Sequence, residues 1–305
     1  MQKANNIVEG NAEDAVTSEV VAFPKHSGRH SSSGPNHFLN RKVIDSLDQL
    51  KLEYADNQPF RHIVIDDFFD EAMLKGILAE FPDLNKVSNS EKISYQSPNE
   101  KKLAGKGEAN FGDLTRQLMH YLNSEPFLLL LQELTGIEEI LIPDPHYQGG
   151  GFHEIKPGGY LKVHTDFNKH FKTGLDRRIN LLVYLNEEWD ASYHGDLQLW
   201  TSDMSECARS VLPRFNRVVI FNTDDYSYHG LPDPVTCPEG MSRKSLALYY
   251  YSNGRPEHEI NSDNTTTAFR KRPGKDKRTI GEIAALFVPP IISKIAYRLG
   301  GKKYN

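Results

Sequence analysis

The 305-residue chain is 38% hydrophobic and 25% charged, with a net charge of -5; these proportions exclude disordered, fibrous and collagen-like classes and leave room for one large or two small folded units. Its two cysteines, Cys207 and Cys237, have no metal-type spacing, which argues against a disulfide framework or zinc ribbon and fits a reducing compartment. Charge is uneven. From residue 264 onward there are ten Lys/Arg against two acidic residues, so this tail carries +8 and the rest of the chain -13. Residues 1–15 are acidic and lack the apolar core of a signal peptide. The apolar run 283–292 is interrupted by Pro289-Pro290 and is too short to span a bilayer. A cytoplasmic location is expected.

In chain order, residues 1–40 show no apolar period, and Ser31-Ser32-Ser33-Gly34-Pro35 predicts a flexible arm. Apolar positions at helical spacing predict a helix over 43–50, and residues 62–69 predict a strand. A helix is expected over 70–81, stopped by Pro82. Residues 85–108, rich in Lys, Ser, Asn and Gly, predict an exposed loop or lid. Helical pattern returns over 113–134, with Gly136 as its C-cap. After Pro143 the character changes. Segments 147–155, 160–166, 179–185, 195–200, 217–222 and 245–252 predict strands separated by turn residues, the pattern of an all-β sandwich or barrel. Three regions follow: the arm 1–40, a folded body 41–260 with helical support over 41–140 and a β core over 141–260, and a basic tail 261–305. Residues 270–278 predict a basic linker, and 280–299 a helix broken at the prolines. That tail is a candidate for contact with an anionic surface or partner protein, or for a helix packed on the core.

The chemistry centres on Gly158-Gly159-Tyr160-Leu161-Lys162-Val163-His164-Thr165-Asp166-Phe167-Asn168. On a strand, residues i and i+2 share a face, so His164 and Asp166 project together. One imidazole and one carboxylate are two thirds of the 2-His-1-carboxylate face that holds non-haem Fe(II). Alone, a His-x-Asp pair is more often an ordinary strand contact. His229, in Tyr228-His229-Gly230, follows the strand 217–222 and can complete the triad, leaving positions for a bidentate 2-oxo acid and O2. The second carboxylate of such an acid needs an inward cation. Arg243, just before the apolar strand Ser245-Leu246-Ala247-Leu248-Tyr249-Tyr250-Tyr251, is placed for that role, since a planar guanidinium pairs bidentately with carboxylate and a buried lone one is costly.

On these residues the chain resembles the 2-oxoglutarate/Fe(II)-dependent dioxygenases, and among them the prolyl-4-hydroxylase-like branch. The resemblance covers residues 59–256 and runs through PFRHIVIDDFFDEAMLKGILAEFP, GGYLKVHTDFN, RRINLLVYLN, YHGDLQLW, NRVVIFNTDDYSYHG and SRKSLALYYY. It implies a double-stranded β-helix (jelly roll) with N-terminal supporting helices, hence an α+β, mainly β fold. It implies that His164, Asp166 and His229 hold iron, that Arg243 binds the distal 2-oxoglutarate carboxylate, and that Tyr184 assists it. Gly195-Asp196 departs from the family's more usual paired glycines, a change within a turn. The implied reaction couples oxidative decarboxylation of 2-oxoglutarate by O2 to hydroxylation of an aliphatic C–H, with ascorbate as an accessory reductant. The presence of Asp166 favours hydroxylation over halogenation.

Other candidates are weaker. His153 and Gln148, upstream of the ligand strand, are candidates for the second shell or substrate, as are Asp225 and Tyr228 at the rim. Arg177 and Arg178 open the Tyr184 strand, and Arg178 is the candidate for a site contact; turn-exposed charge is the commoner fate of such residues. Gly149-Gly150-Gly151 lacks the Lys-Ser/Thr of a phosphate loop and predicts a turn with close backbone approach. The first substrate expectation is a prolyl residue or amino-acid derivative. A glycan or other biosynthetic small molecule is the alternative, no nucleic acid is expected, and the oligomeric state is not legible. The rivals from other classes are a non-catalytic metal-binding β module and a docking protein driven by its basic tail.

Overall fold

The computed structural model describes residues 38–259 and 265–276. Residues 1–37 of the expected arm 1–40 and the helix expected over 280–299 lie outside the described residues. The helical support comprises α1 (Arg41–Asp45), α2 (Leu47–Asp56), α3 (Glu71–Ala79), α4 (Asp113–Leu122) and α5 (Glu125–Thr135). Asp70 caps α3 by accepting from the Met73 amide at 2.8 Å. The helix expected over 113–134 is two helices, because the chain turns at Asn123-Ser124 and Pro126 sits in the first turn of α5, where its missing N–H costs nothing. Gly136 ends α5 in the left-handed conformation, φ 68°. Gly112 offers α4 no side-chain cap, and Glu80 supplies one from α3: its carboxylate accepts from the Leu114 and Thr115 amides at 3.0 and 2.8 Å.

The sheet contains β1 (His62–Ile65), β2 (Lys92–Gln96), β3 (Glu100–Gly105), β4 (Ile142–Pro143), β5 (Gly151–Ile155), β6 (Tyr160–Thr165), β7 (Asp176–Tyr184), β8 (Leu197–Trp200), β9 (Cys207–Val211), β10 (Val218–Asn222), β11 (His229–Leu231), β12 (Arg243–Ser252) and β13 (Ala268–Phe269). Every pairing is antiparallel. Eight strands interleave as two layers, β10-β7-β12-β5 and β6-β11-β8-β9, the alternation of a double-stranded β-helix, with β3 bonded to both β5 and β6. The expected jelly roll is therefore the fold.

Period-two alternation separates two interiors. Ile179, Leu181 and Val183 on β7, Val218 and Ile220 on β10, and Leu246, Leu248 and Tyr250 on β12 are buried with Tyr54, Leu74, Phe127 and Leu131 of the helices. Their neighbours, including Asn180, Tyr184, Ser245 and Tyr249, point into the barrel. Such two-sided burial reads as a near-continuous apolar run, and the strand 179–185 has that character.

Three segments differ from the sequence-based expectation. Residues 92–105 form the hairpin β2–β3 in place of a loop, because Ile93, Tyr95, Leu103 and Ala104 supply enough β pattern once β5 and β6 offer free edges. His229 sits on its own short strand, β11, in place of a turn. Residues 265–276, in the expected basic tail and overlapping its 270–278 linker, are docked: β13 pairs with β6, and Arg272, 6% exposed, is held by Asp233 at 2.8 Å and Asp276 at 3.1 Å.

Candidate metal centre

His164 and His229 are direct cross-strand partners on β6 and β11, and their ring centroids lie 4.4 Å apart. This approach depends on Gly230. A Cβ there would stand 2.9 Å from the carbonyl oxygens of both Leu161 and Lys162, so any larger residue would lever β11 away from β6. Each imidazole donates Nδ1–H to a backbone carbonyl, His164 to Lys162 and His229 to Ser227, both at 2.8 Å. That fixes the tautomer and leaves both Nε2 lone pairs facing Asp166, at 3.6 and 3.5 Å from its carboxylate. The three donor atoms lie within 4.8 Å of one another. Two neutral nitrogens and one carboxylate oxygen with oriented outer partners fit a divalent first-row metal, iron included.

Asp166 is held from behind. Arg177 donates to its Oδ2 at 2.9 Å and Asn180 at 2.7 Å. Burial pushes this carboxyl toward protonation, but the Arg177 guanidinium and the two histidines outweigh burial and hold it well below the usual carboxylate range. His164 is pushed down by burial and by His229, which favours the neutral, ligating form. Arg177 itself is wedged between Tyr249, 3.5 Å from the ring centroid, and Phe167 at 4.6 Å.

Deeper in the barrel, Arg243 is 3% exposed and its Nε donates to the Gly195 carbonyl at 2.7 Å. Among the described residues no carboxylate lies within ion-pair distance of its guanidinium. Tyr184 lies beneath it, ring centroid 4.8 Å from Cζ, with a buried hydroxyl that has no hydrogen-bond partner. A cation and an orphaned hydroxyl together demand an anion, and the distal carboxylate of 2-oxoglutarate has the right chemistry. Gly195, at φ 78°, makes room: a Cβ would lie 3.1 Å from Arg243 Cδ.

The expected residues thus divide. His164, Asp166 and His229 converge, and Arg243 and Tyr184 form a second group. His153 lies on the barrel face, paired across to Ser245, and donates Nε2–H to the Gly149 carbonyl at 2.9 Å. Burial, with Lys102 and Arg243, depresses its pKa to about 3. Gln148 is exposed in a turn, its amide bonded to Asp144. Tyr228 packs on the opposite face of β11 from His229, with Val163, Trp200 and Met204. Asp225 accepts from Asn168 at 2.6 Å, outside the ligand group.

Arg178 needs correction. It turns to the helical side, bonded to Glu139 at 2.7 Å and Glu259 at 2.9 Å, and Arg177 takes the inward position. The cause is a β-bulge: Tyr250 pairs with Ile179 but Tyr251 pairs with Arg177, so the extra residue reverses the alternation counted from Tyr184. Asn180 and Ser245 were missed, though period two from Tyr184 and Arg243 points to both. Lys102, Tyr95 and Tyr251 gave no signal, since the hairpin and the bulge place them.

Comparison with known proteins agrees with this geometry. Residues 150–251 match the family model described as the 2OG-Fe(II) oxygenase superfamily. The chain is similar to prolyl 3-hydroxylase OGFOD1 of Mus musculus, 24% identical over 256 residues covering 82% of this chain and 41% of that protein. It is also similar to the Xenopus laevis OGFOD1, 25% identical over 201 residues covering 64% of this chain and 36% of that protein. The chain therefore spans about two fifths of the length of the curated relatives it matches. Among solved structures, a Pseudomonas putida prolyl-4-hydroxylase aligns with TM-score 0.49 at 17% identity, covering 67% of this chain and all of that one. Over residues 150–251, a third of its length, the chain is thus similar to the 2OG-Fe(II) oxygenase superfamily.

Proposed function

We propose that this protein is an Fe(II)- and 2-oxoglutarate-dependent dioxygenase that hydroxylates an aliphatic C–H, with a prolyl residue or an amino-acid derivative as substrate. The observation that carries the reading is the convergence of His164, Asp166 and His229 at one end of a barrel whose other end holds Arg243 and the unpartnered Tyr184 hydroxyl. Bound iron, with O2 and 2-oxoglutarate as cosubstrates, supplies the oxidising chemistry. The chain's own residues do the positioning. The two histidines present Nε2, Arg177 and Asn180 keep Asp166 ionised and aimed, and Arg243 with Tyr184 fixes the far carboxylate so that the reacting end of the 2-oxo acid faces the metal. His153, pressed toward the neutral form, adds no charge to this interior. The prolyl substrate class rests on the similarity to the OGFOD1 proteins, which are named prolyl 3-hydroxylases. Two free thiols fit a reducing, cytoplasmic setting, and among the described residues no helix is long and apolar enough to cross a membrane.

The test is anaerobic addition of Fe(II) and 2-oxoglutarate to the full chain, followed by O2. A visible metal-to-ligand charge-transfer band and then succinate release are expected, with both lost in Asp166→Ala and His229→Ala. A wild-type protein without the band, or variants that keep it, would overturn the proposal.

A further inference from the structure

Near the metal site lie two donors with capacity the chain leaves unused: the Lys102 ammonium, held only by a long ion pair, and the buried Tyr251 hydroxyl, which has no partner. Lys102 lies on the inward face of β3: its neighbour at i+2, Ala104, pairs with His153, which pairs with Ser245, which pairs with Tyr184, so all share the barrel face. Its side chain is only 15% exposed. Its ammonium forms an ion pair with Glu100 at 3.7 Å, longer than a direct hydrogen bond, which leaves donor capacity unused. The ammonium rests 4.7 Å from the ring centroid of Tyr95. The second donor is Tyr251, 2% exposed, whose hydroxyl has no partner.

Both donors lie within electrostatic reach of Arg177 and Asp166. A largely buried ammonium held by one long ion pair still forfeits part of its solvation, and a second acceptor recovers it. An anion recovers the most, because a hydrogen bond between two ionised groups is the strongest available. The surroundings agree: Arg177 adds positive charge, and a divalent metal brings more than Asp166 removes.

We propose that Lys102 is a substrate-binding and specificity-determining residue that holds a carboxylate of the substrate, with the Tyr251 hydroxyl as an auxiliary donor. The proposal rests on the dioxygenase reading and names its substrate class: a molecule bearing a carboxylate close to the carbon oxidised. That carboxylate comes either from a free amino-acid derivative or from an acidic side chain beside the target residue of a peptide. Tyr95 flanks the same ammonium and so walls the position on the hairpin side.

The experiment measures equilibrium binding to the full chain, loaded anaerobically with Fe(II) and 2-oxoglutarate, using pairs that differ only in charge. N-acetyl-L-proline is compared with N-acetyl-L-prolinamide, and a short prolyl peptide carrying Asp next to proline with its Asn counterpart. At least one charged member is expected to bind about 10-fold or more tightly than its neutral partner, the low end of what a hydrogen bond to a charged group contributes. Which pair responds identifies the source. Lys102→Met should bring that ratio to within about 2-fold, Lys102→Arg should retain most of it, and Tyr251→Phe should reduce it partly. The proposal is overturned if no charged member binds better than its neutral partner, including by failing to bind, or if the preference survives in Lys102→Met. It is overturned too if Lys102→Met weakens 2-oxoglutarate instead, since the ammonium would then belong to the cosubstrate. The charge-transfer band, read in the same samples, keeps this outcome separate from failure of the dioxygenase reading: the band should persist in Lys102→Met and vanish in Asp166→Ala.

Discussion

The two ends of the barrel interior solve the burial of a cation in different ways. At the Arg243 end the guanidinium is oriented by a backbone carbonyl, roofed over Tyr184 and set in packed surroundings of Trp189 and Val235, both close to Gly195. At the Arg177 end the guanidinium spends its hydrogen bonds on Asp166 and Asn180, and the neighbouring cation, Lys102, belongs to a hairpin added outside the eight-stranded core. On the proposed reading, cosubstrate binding is built into the core strands, whereas substrate selection rests on an accessory hairpin and a bulged strand end. A fold that must keep one cosubstrate and accommodate varied targets gains from this division, because a hairpin can change without disturbing β12 or β7.

The largest expected effect breaks the closed end. Arg243→Met should weaken 2-oxoglutarate by about 100-fold, read from titration of the charge-transfer band, because truncation strands a buried carboxylate. Metal affinity measured without 2-oxoglutarate should be unchanged. Next, Asn180→Ala tests the support behind Asp166 and should lower Fe(II) affinity by about 10-fold, the low end of what outer partners of a metal ligand contribute, with 2-oxoglutarate affinity altered only through the metal. Gly195→Ala forces a side chain into the φ 78° backbone and toward Arg243 Cδ. It should cost about 1–3 kcal/mol in denaturant unfolding and weaken 2-oxoglutarate while sparing the preference attributed to Lys102.

The last effect, absent at neutral pH and seen only in acid, lies between the two ends, at His153. Its folded pKa, about 3, is below its ordinary value of 6.5. The unfolded chain therefore binds a proton that the folded chain refuses. The full stability is present above pH 6.5 and is lost as pH falls toward 3. His153→Gln should show a shallower fall of Tm than the parent over the acid side of this window.

Much of this organisation is legible in the sequence, for a physical reason. Strand periodicity is exact, so His164 and Asp166 must share a face whatever the rest of the chain does, and the same rule carries Arg243 to Ser245. The order of turn-separated strands implies a β barrel, and blocks shared with a known family supply the third ligand and Arg243. Capping follows the same logic where it is local, as at Asp70 and Gly136. Tertiary structure decided what depends on distant partners. The cap of α4 comes from Glu80, the inward arginine is Arg177 because of one extra residue opposite Tyr250 and Tyr251, and β2–β3 became strands only against the open edges of β5 and β6. Lys102 was invisible for that reason: nothing in Glu-Lys-Lys-Leu-Ala-Gly distinguishes an ammonium in solvent from one buried beside a metal centre until the edges that receive the hairpin are in place.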